Sequence, residues 1–418
     1  MSDWFDGARF GLFVHWGHIA QRGSEISWPL VGGAGMLHAK HSSLAVDDYH
    51  ASAATFAPEP DAARDWLARA KRTGMRYAVL TAKHHDGFAL WPTRAGGLSV
   101  AQSKYAGDLV REFTDAARAN GLRVGLYYSL CDWHHPDYPA FRDEHRPYRF
   151  GRTPRPTPAQ WERFLEFQFA QMRELMTDYG KIDLLWFDGG WERTPEEWRA
   201  REFVALIRGL QPGIVINDRL PGQGDYDTPE QFIPPQPPAR RWETCLTMNE
   251  TWAWNPRDTR YKSARALVHA LCEVASRGGN LLLNASPMAD GALPAEQIER
   301  LDALARWMDR YGDAIHDSAP GLEPWQFYGP STRKDERVFL HLLMRPYESV
   351  SVRGVPVRRV RAVRELASGR ALEHRARTTI LDQMVNPDPL GELTIAVPEE
   401  LLDPLATVLE LELAGRPA

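Results

Sequence analysis

The chain has 418 residues, which is enough for one large domain and a smaller one. Its formal net charge of −5 provides no basic surface for nucleic acid or an anionic membrane, and no apolar stretch is long enough to span a bilayer. Three cysteines are too few for a disulfide framework or a zinc site, and the first residues lack the pattern of a signal peptide. We therefore expect a cytoplasmic globular protein with no nucleic-acid or membrane partner, and the sequence leaves its oligomeric state open.

Short apolar strands alternate with amphipathic helices through the first three quarters of the chain. The predicted strands cover residues 10–15, 77–81, 124–128, 182–187, 214–217 and 280–284, and the predicted helices cover residues 62–73, 109–120, 159–179, 195–210 and 263–277. This order indicates a parallel sheet, and a length of about 300 residues favours a closed (β/α)8-like barrel over an open sheet. Because only six strands are clear, we expect an irregular barrel.

The pattern changes after about Pro320. Short strand-like runs at residues 338–343, 350–352, 357–364, 393–397 and 407–413 follow with no long helix between them. Turn residues such as those at 386–389 separate these runs. The sequence therefore predicts an α/β protein with a barrel domain over residues 1–320 and a C-terminal all-β sandwich domain over residues 321–418.

The fourth predicted strand carries the most informative candidate. Five of the six residues from Ile182 to Phe187 are apolar, which is typical of a strand buried on both faces, and Asp188 follows directly before two glycines. Ligand sites of parallel sheets lie at the carboxyl ends of the strands. We interpret Asp188 as a nucleophile or general base, and an Asp that caps the next helix is the alternative for this residue alone.

Polar residues also follow the other predicted strands. His15 ends the first strand, the adjacent His84 and His85 end the second, and Tyr128 lies at the end of the third. Since the carboxyl ends of the strands meet on one face of a barrel, we expect these side chains and Asp188 to converge. Fifteen tryptophans, several of them beside these residues, provide flat apolar faces that suit a sugar ring.

Hydrolysis of a glycosidic bond requires two carboxyl groups, one to protonate the leaving oxygen and one on the other side of the anomeric carbon. Asp188 is the candidate for the second role. For the acid, the sequence offers Glu230, which follows the strand at 214–217, and Glu243, which also fits a strand end. The spacing does not decide which of the two faces Asp188.

Two functions of other classes remain open at this stage. Three histidines and a carboxylate permit a zinc-dependent hydrolase, although His84 and His85 can face one site only where the strand has already broken into a loop. A non-catalytic carbohydrate-binding barrel would keep the aromatic and histidine residues but would not need paired acids.

In these residues the chain resembles the α-L-fucosidases of glycoside hydrolase family 29. The resemblance covers nearly the whole length and rests on five segments in family order, at residues 10–17, 83–88, 186–189, 217–219 and 242–255. It implies an irregular barrel followed by a β-sandwich, a retaining mechanism that releases terminal fucose from fucosylated glycans or glycosides, and no metal or organic cofactor.

The resemblance also assigns roles to residues. Asp188 matches the nucleophile and Glu230 the acid/base residue, at a separation of about 5–5.5 Å for a retaining enzyme. The positions that match fucose-binding side chains are His15, His84, His85, Tyr128, Trp186, Arg219 and Trp252. Many members have Glu-Trp-Tyr after the first strand, and here Glu25 and Trp28 are expected to supply the same groups with two residues inserted.

Overall fold

The computed structural model of the chain describes residues 4–32, 44–146 and 155–415. Seven strands form one sheet in which all neighbours are parallel, in the order β5-β4-β3-β2-β1-β7-β6. The strands are β1 Phe10–Val14, β2 Tyr77–Lys83, β3 Arg123–Ser129, β4 Leu184–Asp188, β5 Val215–Ile216, β6 Glu243–Thr247 and β7 Asn280–Ala285. The predicted parallel α/β barrel is confirmed, and β6 begins at Glu243, where the sequence predicted the end of a strand.

Helices surround this sheet and cover its outer face. They are α1 Trp4–Ala8, α2 Val46–Ala51, α3 Ala62–Arg72, α4 Leu109–Ala119, α5 Pro158–Thr177, α6 Ala200–Leu210, α7 Ala264–Ser276 and α8 Ala295–Tyr311. Side-chain caps set several starts, since Asp108 accepts from the backbone N–H of Arg111 and Thr157 from that of Gln160. Within the described part of the chain, no helix is long and apolar enough to cross a membrane.

An irregular segment over residues 226–230 closes the gap between the edge strands β5 and β6. Isolated parallel bridges join Tyr226 to Asn217 on one side, and Asp227 and Glu230 to Trp242 and Cys245 on the other. Backbone hydrogen bonds support the second side, at 2.9 Å from the Glu243 N–H to the Asp227 oxygen and 3.0 Å from the Gln231 N–H to the Cys245 oxygen. This closing segment takes the place of a regular eighth strand, which is why the barrel is irregular.

Alternate residues of the strands point into the barrel and fill it. The inward side chains form one buried cluster, which includes Phe13, Tyr77, Val79, Tyr127, Leu184, Trp186, Val215, Tyr226, Cys245 and Leu282. At the amino-terminal end of the strands, Phe5 of α1 packs against the ring of Tyr226 with 4.5 Å between ring centroids. Among the described residues, the barrel is therefore filled below the carboxyl ends of its strands, and a site is expected at that end.

The C-terminal part consists of two antiparallel sheets that share one apolar core. The elements are β8 Ala319–Pro320, β9 Ser331–Lys334, β10 Arg337–Leu342, β11 Ser349–Pro356, β12 Val360–Glu365, β13 His374–Arg377, α9 Ile380–Val385, β14 Leu390–Ala396 and β15 Thr407–Leu413. The sheets have the orders β12-β15-β10-β9-β8 and β11-β14-β13. Val338, Leu340 and Leu411 of the first pack with Val352 and Ile395 of the second. The predicted all-β domain is confirmed, and the boundary between residues 320 and 321 stays a prediction.

The tight backbone packing at Gly224, two residues before the closing segment, allows a test of how the chain entering that segment is held. Gly224 has φ 120°, and a Cβ atom there would lie 2.5 Å from the Asn217 carbonyl oxygen, whereas Gly213 has φ 84° with open space around it. We expect Gly213→Ala to lower the free energy of unfolding by about 1 kcal/mol through its positive φ alone. Gly224→Ala should cost about 3 kcal/mol or more in urea unfolding, because strain and overlap add. Equal costs would mean that the chain entering the segment is not packed against Asn217, the residue after β5.

Candidate active site

A pocket lies at the carboxyl ends of the barrel strands. It is lined by Phe13, His15, Trp28, His84, His85, Tyr127, Trp186, Asp188, Glu230, Cys245 and Trp252. Eight of the residues predicted from the sequence are in this set, and Arg219 contacts three of them, Asp188, Glu230 and Trp186. Tyr128, Glu25 and Glu243 do not line the pocket.

The guanidinium of Arg219 binds both candidate catalytic carboxylates. Its Nη1 donates to Asp188 Oδ1 at 3.2 Å and its Nη2 to Glu230 Oε2 at 2.9 Å. Arg219 is itself oriented by Thr228, whose hydroxyl accepts from Nε at 2.9 Å and whose backbone oxygen accepts from Nη2 at 3.1 Å. One cation therefore holds the two carboxyl groups on neighbouring nitrogens, and the 5–5.5 Å separation expected between them stays a prediction.

The segment Asn217–Asp218–Arg219 supplies three separate supports to this pair. The Asn217 amide accepts from the Phe187 N–H at 2.7 Å and donates to the Phe187 oxygen at 2.9 Å, which holds the end of β4 directly before Asp188. Asp218 accepts from the Thr228 hydroxyl at 2.5 Å. Asn217 therefore fixes the strand that carries Asp188, and Asp218 fixes Thr228, the residue that orients Arg219.

The two carboxyl groups differ in how their charges are stabilised. Burial raises the pKa of Asp188 from its ordinary value, against which Arg219, the Gly189 N–H and the Tyr127 hydroxyl favour the carboxylate. Burial also raises the pKa of Glu230, and the charge of Asp188 raises it further, while Arg219 alone opposes the rise. Because Asp188 has more donors, a single proton shared by the pair belongs on Glu230.

The end of β2 explains how two adjacent histidines reach one pocket. The register of β2 against β3 shifts between Thr81 and Lys83, so that Lys83 turns outward to Asp132 at 3.2 Å. His84 and His85 follow beyond the strand, with their ring centroids 4.1 Å apart. The expected break of the strand into a loop is therefore present.

The hydrogen bond at Nδ1 of His15 defines which ring nitrogen carries the proton. Its Nδ1 lies 2.7 Å from Asn284 Oδ1, and the Asn284 amide nitrogen donates to the Trp252 oxygen at 2.7 Å. An amide oxygen only accepts, so Nδ1 carries the proton and Nε2 is an acceptor. Burial lowers the pKa of His15 to about 3, so the ring is neutral at ordinary pH.

The same reasoning gives opposite tautomers for the other two histidines. The Ser27 hydroxyl oxygen accepts from the Asp86 N–H at 2.9 Å, so its own proton is directed to His84 Nδ1 at 2.6 Å and His84 Nε2 is a donor. The Ser129 hydroxyl donates to the Cys131 oxygen at 2.7 Å, so His85 Nδ1 donates to Ser129 at 2.6 Å and His85 Nε2 is an acceptor. The pocket thus offers two imidazole acceptors and one donor.

His85 is the histidine nearest the catalytic pair. Its Nε2 lies 3.7 Å from Asp188 Oδ2 and makes no hydrogen bond to any part of the chain that the structure describes. Burial, together with the nearby cations Lys83 and Arg219, lowers the pKa of His85 to about 3. A neutral acceptor beside the carboxylate suits a substrate hydroxyl that lies next to the reacting carbon.

A column of flat groups supports the pocket from the side. The rings of His84 and Tyr127 are stacked at 5.3 Å, and those of Tyr127 and Trp186 are stacked at 5.5 Å. The guanidinium of Arg219 lies 5.0 Å from the centroid of Trp186. The hydroxyl of Tyr127 donates to Asp188 Oδ2 at 3.1 Å, so this column touches the candidate nucleophile directly.

Glu25 lies behind the pocket wall, and Trp28 is part of the wall. The Glu25 carboxylate accepts from the backbone N–H of Trp252 and from that of Ala253, both at 2.7 Å. Burial raises the pKa of Glu25 to about 7, although these donors oppose the rise. The predicted substrate-binding role of Glu25 is corrected: it does not line the pocket, and both its oxygens hold the Trp252 segment, which does.

The predicted role of Tyr128 in the pocket is wrong, and Tyr127 takes that place. Side chains alternate along β3, so Tyr127 points into the barrel and Tyr128 points outward to the helices. The Tyr128 hydroxyl donates to Gln171 on α5 at 2.9 Å and lies 3.2 Å from Lys83 Nζ. A shift of one position in the predicted facing of the strand accounts for the error.

Glu243 is excluded as the alternative acid by its position. It is the first residue of β6, at the opposite end of the strand from the pocket, and it is fully buried. Its carboxylate accepts from Trp186 Nε1 at 3.0 Å, from Tyr226 at 3.4 Å and from the Tyr77 hydroxyl. Burial raises its pKa to about 7. Glu243 therefore supports Trp186 from the barrel interior.

The described residues contain no group of three or more His, Cys, Asp or Glu side chains arranged to hold a metal ion. The zinc-dependent alternative therefore gains no support from the geometry. The expected independence of a metal or organic cofactor stays a prediction.

Comparison with known proteins identifies the family. The family model described as Alpha-L-fucosidase matches residues 1–313. The tissue α-L-fucosidase of Macaca fascicularis is 32% identical over 356 residues, covering 78% of this chain and 71% of that protein, and that of Homo sapiens is 31% identical over 353 residues, covering 77% and 71%. The chain belongs to the α-L-fucosidase family. The predicted family and the class of glycoside hydrolase are confirmed.

Solved fucosidase structures match over both domains. Alpha-L-fucosidase isoenzyme 1 from Paenibacillus thiaminolyticus has a TM-score of 0.85 and 34% identity, covering 98% of each chain. A family 29 α-L-fucosidase from Bacteroides thetaiotaomicron has a TM-score of 0.82 and 26% identity, covering 98% of this chain and 94% of that one. A further structure from that organism, a covalent intermediate trapped with 2-fluoro-fucosyl fluoride, has a TM-score of 0.81, 26% identity and covers 98% and 95%.

The adjacent tyrosines of β3 provide a matched test of which one serves the site. Tyr127→Phe removes a donor to Asp188, and we expect kcat/KM on 4-nitrophenyl α-L-fucoside to fall about 10- to 100-fold. Tyr128→Phe should leave kcat/KM unchanged and lower the free energy of unfolding by about 1–3 kcal/mol, because Lys83 and Gln171 lose a buried partner. The reverse pattern would restore Tyr128 to the pocket.

Proposed function

We propose that this fucosidase is exo-acting, retains anomeric configuration and uses Asp188 as nucleophile and Glu230 as acid/base. The observation that carries the proposal is the binding of both carboxylates to one guanidinium, that of Arg219, at the head of a pocket lined by neutral histidines. Retaining hydrolysis requires two carboxyl groups close together on either side of the anomeric carbon.

The reaction consists of two displacements. In the first, an Asp188 oxygen bonds to C1, the bond from C1 to the leaving oxygen breaks, and the proton of Glu230 goes to that oxygen. In the second, water attacks C1, Glu230 takes a proton from the water, and the ester bond to Asp188 breaks. Fucose is released with its original configuration, and both carboxyl groups return to their starting states.

Electrostatics supports the change of role at Glu230 between the two steps. The charge of Asp188 is one cause of the raised pKa of Glu230. Formation of the ester removes that charge, while Arg219 remains bound to Glu230 at 2.9 Å. The pKa of Glu230 therefore falls in the intermediate, which favours the carboxylate form needed for a base.

The pocket chemistry supports a single deoxy sugar as the bound group. The solid barrel interior closes the floor, so only a terminal residue can enter. The imidazole acceptors of His15 and His85 and the donor of His84 match a set of hydroxyl groups. Trp252, with its ring 4.7 Å from that of His15, provides an apolar wall for a methyl group. A cytoplasmic location stays a prediction.

Azide rescue tests the two catalytic roles separately. We expect Asp188→Gly to lose at least about 10³-fold in kcat on 4-nitrophenyl α-L-fucoside, and added azide to restore turnover with β-fucosyl azide as product. Glu230→Gly with azide should instead yield the α-azide, because azide then attacks the fucosyl-enzyme. The product anomers, read by NMR, decide the assignment: the α-azide from the Asp188 variant would exclude Asp188 as nucleophile.

The pH profile provides an independent test. In the free enzyme Asp188 must be ionised and Glu230 protonated, so kcat/KM should fall on both sides of an optimum. Both pKa values are raised by burial, so both limbs should lie above the ordinary ranges of Asp and Glu. Glu230→Gln removes the titrating acid, and we expect the alkaline limb to disappear while the acid limb remains. A variant that keeps the alkaline limb would assign the acid to another residue.

A further inference from the structure

The turn that follows Asp188 is anchored both before and after Trp191. A Cβ atom on Gly189 would lie 2.5 Å from Cys131 Sγ, and one on Gly190 would lie 2.2 Å from the Arg219 carbonyl oxygen, so both glycines are packed without spare room. Beyond them, the Glu192 carboxylate accepts from Trp133 Nε1 at 3.4 Å and from the Tyr138 hydroxyl. The residue between these anchors is Trp191.

Trp191 is partly open to solvent. Its side chain is 41% exposed, and among the described tryptophans only Trp325 of the β domain, at 66%, is also this open to solvent. Removing an indole from solvent is favourable, and the neighbours of Trp191 anchor the turn that carries it. An exposed indole held by an anchored turn, with its ring next to the pocket-lining His85, suits contact with a ligand.

The position of Trp191 relative to His85 shows which part of a substrate it would meet. Its ring lies edge-to-face against that of His85, with centroids 5.5 Å apart and planes at 79°. His85 Nε2 in turn lies 3.7 Å from Asp188 Oδ2, the carboxylate that bonds to C1. Trp191 is therefore next to the histidine that lies beside Asp188, whereas Trp252 lies next to His15.

We propose that Trp191 forms a leaving-group subsite, in which the indole stacks on the pyranose or aryl ring that C1 releases. The inference rests on the proposed function, since it takes the bond cleaved to be the one at the C1 atom that Asp188 attacks. Stacking of an apolar ring face on an indole, next to a pocket that binds the fucosyl group, would select substrates by the ring that carries the fucose and not by fucose itself.

A comparison of substrates with and without a ring in the leaving group distinguishes a leaving-group subsite from a role in positioning Asp188 or the fucosyl group. We would measure kcat/KM on α-L-fucosyl fluoride, whose leaving group has no ring, on 4-nitrophenyl α-L-fucoside, and on the α-fucosyl disaccharide that the wild type cleaves fastest. The variants are Trp191→Ala, the conservative Trp191→Phe, and Trp325→Ala as the matched removal of the other exposed indole.

We expect Trp191→Ala to lower kcat/KM about tenfold on both ring-bearing substrates and to change it less than about twofold on the fluoride. Trp191→Phe should recover most of the loss, and Trp325→Ala should match the wild type on all three. Activity on the fluoride also reports that the variant is folded.

Two results would overturn the subsite. An equal loss on the fluoride would mean that Trp191 positions Asp188 or the fucosyl group, and no loss on any substrate would mean that the indole does not contact the leaving group. A wild type that is inactive on all three substrates would instead reject the proposed function, so the two failures are distinguishable.

Discussion

The site depends on Arg219 being shared by two buried carboxyl groups. Burial disfavours a charge on Asp188 and on Glu230, and the guanidinium is the group that makes both positions tolerable. Its orientation comes from Thr228, two residues before Glu230, so the closing segment that brings the acid to the pocket also aims the cation that holds it. The irregular segment that closes the barrel is thus also the segment that pairs the two carboxyl groups.

Trp186 connects this pair to the barrel interior. Its indole nitrogen donates to the buried Glu243 below, one face stacks on Tyr127, and Arg219 lies over the ring. A carboxylate at the floor accepts three hydrogen bonds and fixes the indole, which in turn gives the guanidinium and the Tyr127 hydroxyl a rigid support. A preorganised site of this kind needs little rearrangement when charge develops at the substrate.

Residues at the ends of regular strands were predictable from the sequence, and residues whose place depends on the facing or direction of a strand were not. His15 and Asp188 follow clear apolar runs, so their meeting on one face follows from the barrel itself. Tyr127 and Tyr128 differ by one position, and Glu243 begins a strand whose end was expected there. Such shifts lie within the uncertainty of strand boundaries, and they reverse the side or the end of the barrel that a residue occupies. The closing segment has no strand periodicity because it pairs only through isolated bridges.

The histidines are neutral for the same reason that the two carboxyl groups share one cation, which is that the buried pocket keeps its net charge low. Among the described residues that line the pocket, only Asp188 and Glu230 are acidic, and Arg219 is the cation bound to both. With one proton on Glu230 this set has no net charge. A protonated His85, 3.7 Å from Asp188, would add a second cation beside the nucleophile and oppose the positive charge that develops at C1. Burial that lowers the pKa of His85 to about 3 prevents this, and it leaves Nε2 as an acceptor for a hydroxyl of the sugar.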